Sequence, residues 1–429
     1  MKFTKDSIIV GFALFALFFG AGNLILPPFL GFFAGEQWYL VALGFAVSAV
    51  GIPLLGIFAH ARLQGGIYNF AEKVSPGFSL IFSLLIYLIS ITLPGPRTAA
   101  VTHEIAVQPF FEINSLTTSI IYFTLVLLFV IKRSSVINNI GKFLTPAILI
   151  LLMAIIFTGI FSENKPMGDS LHNLPMLIGF FEGYQTFDAI AALVVGGVII
   201  ISVKIKGNRS SREIRKIIIS AAIIAALGLF VVYGGLIYNG AIAHSLFPSN
   251  ITRSELLSGL SLLNLGPLAQ IALALLVALA CFTTAVGIIT GTADFMAERI
   301  KKPFVYQITI ILACVIGIVM GALSVNTIIA IALPVLMLIY PLTIVLILLN
   351  VLTESLRSRL IMRAVVFATL IFSLPEALQY ILTPQIFKNI QEHIPLAVYG
   401  LGWVFPALVT FILASFYEKL SERKSLNSL

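Results

Sequence analysis

The sequence predicts an all-α integral membrane protein of about twelve transmembrane helices, the first and sixth of them discontinuous. Three observations predict it. The 429 residues are 59% hydrophobic and only 10% charged, with a mean hydropathy of +1.07, whereas soluble domains carry about 25% charged residues. The apolar residues gather into runs of the ~20 residues that a bilayer's hydrocarbon core requires. The basic residues alternate in density from one connector to the next, as the orientation of successive spans demands.

The runs fall at roughly 6–33, 38–60, 77–96, 116–131, 143–161, 174–202, 217–240, 265–296, 304–322, 326–350, 364–383 and 395–416. The connectors leave no room for a soluble domain, so residues 1–429 read as one transmembrane domain. With the N-terminus placed in the cytoplasm, the inner segments hold 22 of the 26 Lys and Arg. The outer segments hold only Lys165, Arg253 and Lys388, and Arg97 falls near the outer end of the third span. That bias predicts that both termini are cytoplasmic. The net charge of +8 could suggest a nucleic-acid partner, but the basic residues flank spans, which excludes that class. Cys281 and Cys314 lie inside apolar runs and imply neither a disulfide framework nor a metal site. The first run is too long for a signal peptide and carries Pro27-Pro28 where a small-residue cleavage site would fall.

The first span contains Phe18–Phe29, FFGAGNLILPPF, in which Gly20-Ala21-Gly22-Asn23 and then Pro27-Pro28 interrupt a helix-forming sequence. In lipid, irregular backbone is tolerated only where protein buries it or a cavity is lined. A helix broken at mid-depth therefore offers amides to an anion at the start of its second half and carbonyls to a cation at the end of its first. The sixth span repeats the device: Gly179 and Gly183 bracket Glu182, and intramembrane carboxylates usually face a pathway. Two interrupted spans five apart fit inverted repeats whose broken helices meet at the midplane. Asp188, at the end of this stretch, reads instead as a capping carboxylate near an interface.

In the eighth span, Thr283-Thr284 follow Ala280. Thr in an apolar helix usually bonds back to its own backbone, but two hydroxyls beside free carbonyls are also the hard oxygen ligands of a small alkali cation. Gly77 to Arg97 is about 30 Å of helix, so Arg97 reads as an arginine reaching for the interface. It lies on one face with Glu104, two helical turns on. The partly apolar connector 241–265 predicts short helices over an outer vestibule. Asn250-Ile-Thr252 within it matches a glycosylation sequon by pattern alone. Gly65–Pro76 reads as an amphipathic segment packed under the bundle, and the tail after Phe416 as disordered.

With these motifs in view, the chain resembles the bacterial branched-chain amino acid:cation symporter family. The matching stretches are FALFFGAGNLILPP in the first span, PRTAAVTHE after the third and GFFEGYQTFDAIAAL in the sixth. The resemblance implies a LeuT-type fold: two inverted five-helix repeats over 1–161 and 174–350, with two further helices over 364–416. It implies import of leucine, isoleucine and valine by sodium symport across the bacterial cytoplasmic membrane, with no covalent cofactor. Carried over residue by residue, Gly20, Ala21, Gly22, Asn23 and Leu24 would receive the substrate carboxylate. Glu182 and Gly183 would lie by the ammonium, and Phe181, Tyr184 and Ile288 would wall the side-chain pocket. Ala16, Phe19 and Ala280 carbonyls with the Thr283 and Thr284 hydroxyls would bind Na⁺, and Asn23 with Glu182 a second cation. Two alternatives stand beside it: H⁺ coupling through Glu182, and a membrane sensor that binds amino acids without moving them. An enzyme is not expected, since the five histidines are scattered and no H-E-x-x-H or G-x-S-x-G motif occurs.

Overall fold

A computed structural model describes residues 4–131, 136–161, 167–171, 173–205, 210–302, 304–380 and 393–426. Every regular element among them is helical. In chain order these are α1 (Lys5–Phe18), α2 (Ala21–Ala34), α3 (Trp38–Ala46), α4 (Ile52–Leu63), α5 (Ile67–Ala71), α6 (Pro76–Thr92), α7 (Pro94–Thr102), α8 (Ser115–Ile131) and α9 (Val136–Phe161). There follow α10 (Pro175–Glu182), α11 (Asp188–Ile205), α12 (Ser211–Ile242), α13 (Arg253–Leu265), α14 (Pro267–Ile300), α15 (Val305–Gly321), α16 (Val325–Val351), α17 (Arg359–Leu378) and α18 (Val404–Leu426). Among the described residues, seven helical stretches are long and apolar enough to cross a membrane, or eight if the bent pair α10–α11 is one span. Three shorter apolar helices lie at Ser115–Ile131, Pro146–Phe161 and Val305–Gly321. Lys2, Lys132, Arg133, Lys165, Lys206, Arg209 and Lys388, which enter the charge bias, lie outside the described residues.

The chain divides into two compact units. The first comprises Met1–Gly51, Ile86–Asp188 and Ser220–Ala330, and holds both interruptions, α7, α13 and α14. Its elements begin and end where local chemistry dictates. Thr4 caps α1 by accepting from Ser7 N–H at 3.2 Å, while the Ser7 hydroxyl accepts from Thr4 N–H at 2.8 Å, which occupies two of the N–H groups that a helix start leaves orphaned. Thr252 and Glu255 form the same reciprocal box at the start of α13, so the threonine of the sequon is a helix cap. Gly266, at φ +79°, ends α13, and Pro267 opens α14. The predicted helix over the connector is α13. Its Leu256 and Leu260 pack with Ala243 against Phe32 of α2.

Within this unit α3 and α10 meet backbone to backbone. A Cβ placed on Gly44 would fall on the Met176 carbonyl, and one on Gly179 on the Val41 carbonyl. Small residues permit this approach between apolar helices, which have no hydrophobic force drawing them together in lipid.

The second unit comprises Ile52–Leu85, Ala189–Ile219 and Ile331–Leu429. His60 sets its two ring nitrogens against the carbonyls of Gly65, at 2.9 Å, and Leu193, at 3.0 Å. Asn350 donates to Phe70 O at 2.9 Å, and Ile67, Phe70 and Ala71 of α5 are buried. The amphipathic reading of 65–76 therefore holds. Lys73 donates to Glu354 at 2.7 Å, and this bond holds the Glu354 carboxyl below its ordinary value.

The third run continues past Arg97 as one helical stretch, Pro76–Val107, in which α6 stops at Thr92, Pro94 opens α7, and a π-helical turn, His103–Val107, follows. Other expectations are overturned. Arg97 does not reach an interface but is only 2% exposed. Glu104 accepts from the Ser254 hydroxyl and from Val325 N–H. The tail beyond Phe416 is helical to Leu426 rather than disordered.

Replacing Gly179 by Leu should force α3 and α10 apart and destabilise the folded protein by at least the ~1–3 kcal/mol typical of overpacking. A lowered unfolding midpoint in detergent, with wild-type behaviour for an exposed control such as Leu268→Ala, is the expected result.

Candidate functional site

The site grows from the two interruptions, both in the first unit. α1 ends at Phe18, Phe19 turns the chain out of helix with ψ 86°, and Gly20 is extended at φ −108° and ψ −170°. α2 then restarts at Ala21 with no side-chain cap, so its first amides have no partner within the helix. Pro27 and Pro28 lie inside α2 and bring no N–H, which leaves the Asn23 and Leu24 carbonyls without intrahelical donors. The second interruption follows α10. Gly183–Thr186 form a 3-10 turn, and Phe187 sits in the left-handed region at φ 62°. The chain there bends by 41° into α11. A bulky residue at positive φ costs on the order of 1–3 kcal/mol and persists only where its surroundings hold it.

What holds the two breaks together is a buried polar knot. Asn23 Nδ2 donates to Asp188 Oδ2 at 2.7 Å and also contacts the Tyr233 hydroxyl. Tyr233 in turn donates to the same carboxylate oxygen at 3.2 Å. All three side chains are 1% exposed. Asp188 opens α11, and its N–H donates to Thr186 Oγ1 at 3.2 Å. It is therefore the helix-start carboxylate that the sequence suggested, and it is buried.

Arg97 of α7 stacks its guanidinium 5.0 Å above the Phe187 ring. A Cβ on Gly22 would strike this guanidinium and lie 3.2 Å from the Gln185 carbonyl oxygen. Gly22 is thus the point where the start of α2, Arg97 and the 3-10 turn converge, and a larger residue would displace the guanidinium. Gln185 is 1% exposed, and neither its amide nitrogen nor its oxygen has a hydrogen-bond partner.

On the other side of the first break, a Cβ on Gly20 would lie 3.9 Å from Thr284 Oγ1. The Thr283 and Thr284 hydroxyls donate to the Ala280 carbonyl at 2.9 and 3.0 Å. Three of the five residues assigned to Na⁺ therefore cluster on α14 beside the end of α1, which carries Ala16 and, just beyond it, Phe19. Phe181 and Tyr184 set their rings 5.4 Å apart, and Ile288 reaches within 4.0 Å of a Cβ on Gly95.

Asn23 and Glu182, named for a second cation, engage different partners. Asn23 belongs to the knot, whereas Glu182 Oε1 lies 3.6 Å from Arg253 Nη2. Arg253 stacks 4.4 Å over Phe29 and donates to Asn326 Oδ1 at 2.8 Å. Sequence reasoning passed over Tyr233, a lone aromatic hydroxyl in an apolar run. It also passed over Gln185 and Phe187, which sit in a quoted motif with nothing in their residue types to mark the backbone they occupy.

A family profile described as branched-chain amino acid transport protein matches residues 3–421. The chain belongs to the branched-chain amino acid transport protein family. It is 34% identical over 426 residues to the branched-chain amino acid permease BraB of Bacillus subtilis, covering 95% of this chain and 94% of that one. It is 32% identical to the branched-chain amino acid transport system 2 carrier protein of Pseudomonas aeruginosa, with 97% and 96% covered. Among solved structures it is similar to Mhp1 in an inward-facing conformation, with a TM-score of 0.60, 14% identity and coverage of 97% and 91%. MhsT in complex with L-phenylalanine gives 0.54, 17% and coverage of 95% and 98%. These neighbours place this transporter family member in the LeuT-type fold.

The knot predicts strong coupling between Asn23 and Asp188. Asn23→Ala and Asp188→Ala should each destabilise the protein by about 1–3 kcal/mol, since each leaves a buried polar group without its partner. A double-mutant cycle read by denaturation should return a coupling of at least ~0.5 kcal/mol. Additive losses would mean that the two side chains stabilise the fold separately.

Proposed function

We propose that this protein imports leucine, isoleucine and valine by symport with Na⁺ across the bacterial cytoplasmic membrane, with both termini in the cytoplasm. Membership of the family supports the substrate class, and the bias of Lys and Arg among the connectors supports the orientation. The observation that carries the coupling ion is the apposition of Thr284 to Gly20, with Ala280 O and the Thr283 hydroxyl alongside. This is a neutral set of hard oxygens at the carbonyl end of a broken helix, where the α1 dipole favours a cation.

On this reading the chain's residues divide the work by charge. The amides at the start of α2 receive the substrate carboxylate, and the α1 carbonyls with the α14 hydroxyls receive Na⁺. Ion and substrate thus meet across Gly20, and each stabilises the arrangement that the other binds. An inside-negative potential of ~100 mV adds about 2.3 kcal/mol per elementary charge moved inward, which favours a cation entering with a zwitterion. Phe181, Tyr184 and Ile288 set the volume open to the side chain. Discrimination by volume is worth only ~1–3 kcal/mol per methylene, so the three branched substrates should compete with one another.

In proteoliposomes, leucine uptake should require Na⁺ and fail in choline at the same pH. Thr284→Ala should raise the Na⁺ concentration for half-maximal uptake about tenfold, a loss of ~1.4 kcal/mol, with leucine uptake restored at high Na⁺. Uptake that is equal in Na⁺ and choline, and that is abolished by Glu182→Gln, would transfer the coupling to protons.

A further inference from the structure

We infer that Arg359 and Arg363, at the start of α17, bind the phosphate of an anionic phospholipid, phosphatidylglycerol, whose acyl chain lies along the apolar face below them. The inference concerns the second unit alone and does not depend on the transport reading. α17 is long and apolar enough to cross a membrane. It begins at Arg359, with Ser358 as its cap, whose hydroxyl accepts from Ile361 N–H at 3.1 Å.

Nothing in the helix itself calls for these cations. The first turn of an α-helix is the positive end of its dipole and favours acids, yet α17 has no acidic residue there. Arg359 and Arg363 stand four positions apart, so they are neighbours on the helix surface, and like charges at that spacing repel. Both are exposed. Among the described residues neither meets a carboxylate. Glu354, on the connector that leads into α17, is taken up by Lys73 and Arg357.

The pair is also held in place. Arg363 Nε donates to the Val74 carbonyl at 2.6 Å, which anchors the stem and leaves the terminal nitrogens of its fork as donors. Cα–Cβ bonds in a helix tilt towards its N-terminus, so both side chains set out towards the end of the span, at the depth of the headgroups. Two neighbouring guanidinium forks suit the oxygens of one phosphate, and basic clusters beside a span draw anionic lipid.

Below the arginines the same face is apolar and uncovered. Leu360 and Phe367 lie three before and four after Arg363, and Ile371 and Leu374 continue the line. All four are exposed, Phe367 by 65%. Arg363 to Leu374 is about 16 Å of helix at ~1.5 Å per residue, close to the ~15 Å of one leaflet of a ~30 Å hydrocarbon core. Contact with bulk lipid would need the stripe alone. The paired arginines add a choice of headgroup, because the phosphate of a zwitterionic lipid is already neutralised by its own ammonium.

The test titrates the purified full-length protein, stripped of lipid in detergent, with dioleoyl phosphatidylglycerol or dioleoyl phosphatidylcholine and counts bound lipid by native mass spectrometry. The wild type should bind one phosphatidylglycerol about tenfold more tightly than phosphatidylcholine, a difference of ~1.4 kcal/mol. Arg359→Gln combined with Arg363→Gln should reduce that preference to about twofold or less. Arg359→Gln alone keeps the bond to Val74 and should lose roughly threefold of the preference, and it decides the matter if the double variant does not fold. Arg212→Gln with Arg215→Gln, which removes two exposed cations at the start of α12, should leave the preference intact. An equal loss in this control, or a wild type with no preference, would overturn the site. Glycerol 3-phosphate, which carries the phosphate without acyl chains, should not displace the lipid; displacement would overturn the lipid as occupant in favour of a free phosphate.

Discussion

A backbone amide or carbonyl left without a partner in hydrocarbon costs several kcal/mol, and the rest of this molecule can be understood from how it meets that cost at two places. At Phe19–Gly20 and at Gly183–Phe187 the helical ladder is given up. Neither gap is exposed to lipid. Phe19, Asn23, Leu24, Tyr184, Gln185 and Phe187 are all buried. The gaps are pinned to one another by Asn23, whose bonds to Asp188 and Tyr233 run between residues 165 and 210 positions apart in the chain. A knot of that kind decides which backbone groups remain on offer. It ties the side chain of Asn23, while Gly20 and Gly22 beside it are buried with the break.

The close approaches around the gaps follow from the same constraint. If side chains stood between α2 and Arg97, or between α3 and α10, the broken segments would be held apart by packing and their polar groups would need water. Glycine at positions 22, 44 and 179 removes that separation. Arg253 on α13 performs a related service from a connector, laying its guanidinium on Phe29 of α2 while facing Glu182 at the end of α10. The halves that begin and end at the breaks are thus held by one cation from a segment outside the main runs.

Much of this was legible in the sequence because glycine, proline and carboxylates are conspicuous in apolar runs. Gly20–Asn23 and Pro27-Pro28 announced the first interruption, Gly179 and Gly183 the second, and the Thr pair at 283–284 its neighbour. What was not legible depends on three-dimensional register. Arg97 lies beside a proline near the end of a run, where the natural expectation is an arginine reaching for the surface. Its burial is set by the restart of the helix at Pro94 and by the absence of a side chain at Gly22. The π turn at His103–Val107 has no residue signature, and nothing in the run tells that Glu104 accepts from Ser254 and Val325. Tyr233 is one of twelve tyrosines, and nothing in its local sequence tells that its hydroxyl meets a carboxylate from position 188.

The distribution of charge also bears on how tightly an ion could be held. Both carboxylates of the second interruption are engaged, Asp188 in the knot and Glu182 with Arg253. The cluster beside Gly20 therefore consists of hydroxyls and carbonyls alone, and its pull on a cation comes from oriented dipoles rather than from a full negative charge. Neutral oxygen sets bind alkali cations weakly enough to release them, which a transport cycle requires as much as capture. The Thr283 and Thr284 hydroxyls both donate to Ala280 O, so their lone pairs remain directed away from the helix while the hydrogens are occupied. A hydroxyl that has already placed its proton on a carbonyl can act only as an acceptor, and an acceptor is what a metal cation needs. On the proposed reading, the back-bonding that makes threonine tolerable in an apolar helix would also leave these two oxygens as acceptors for an ion.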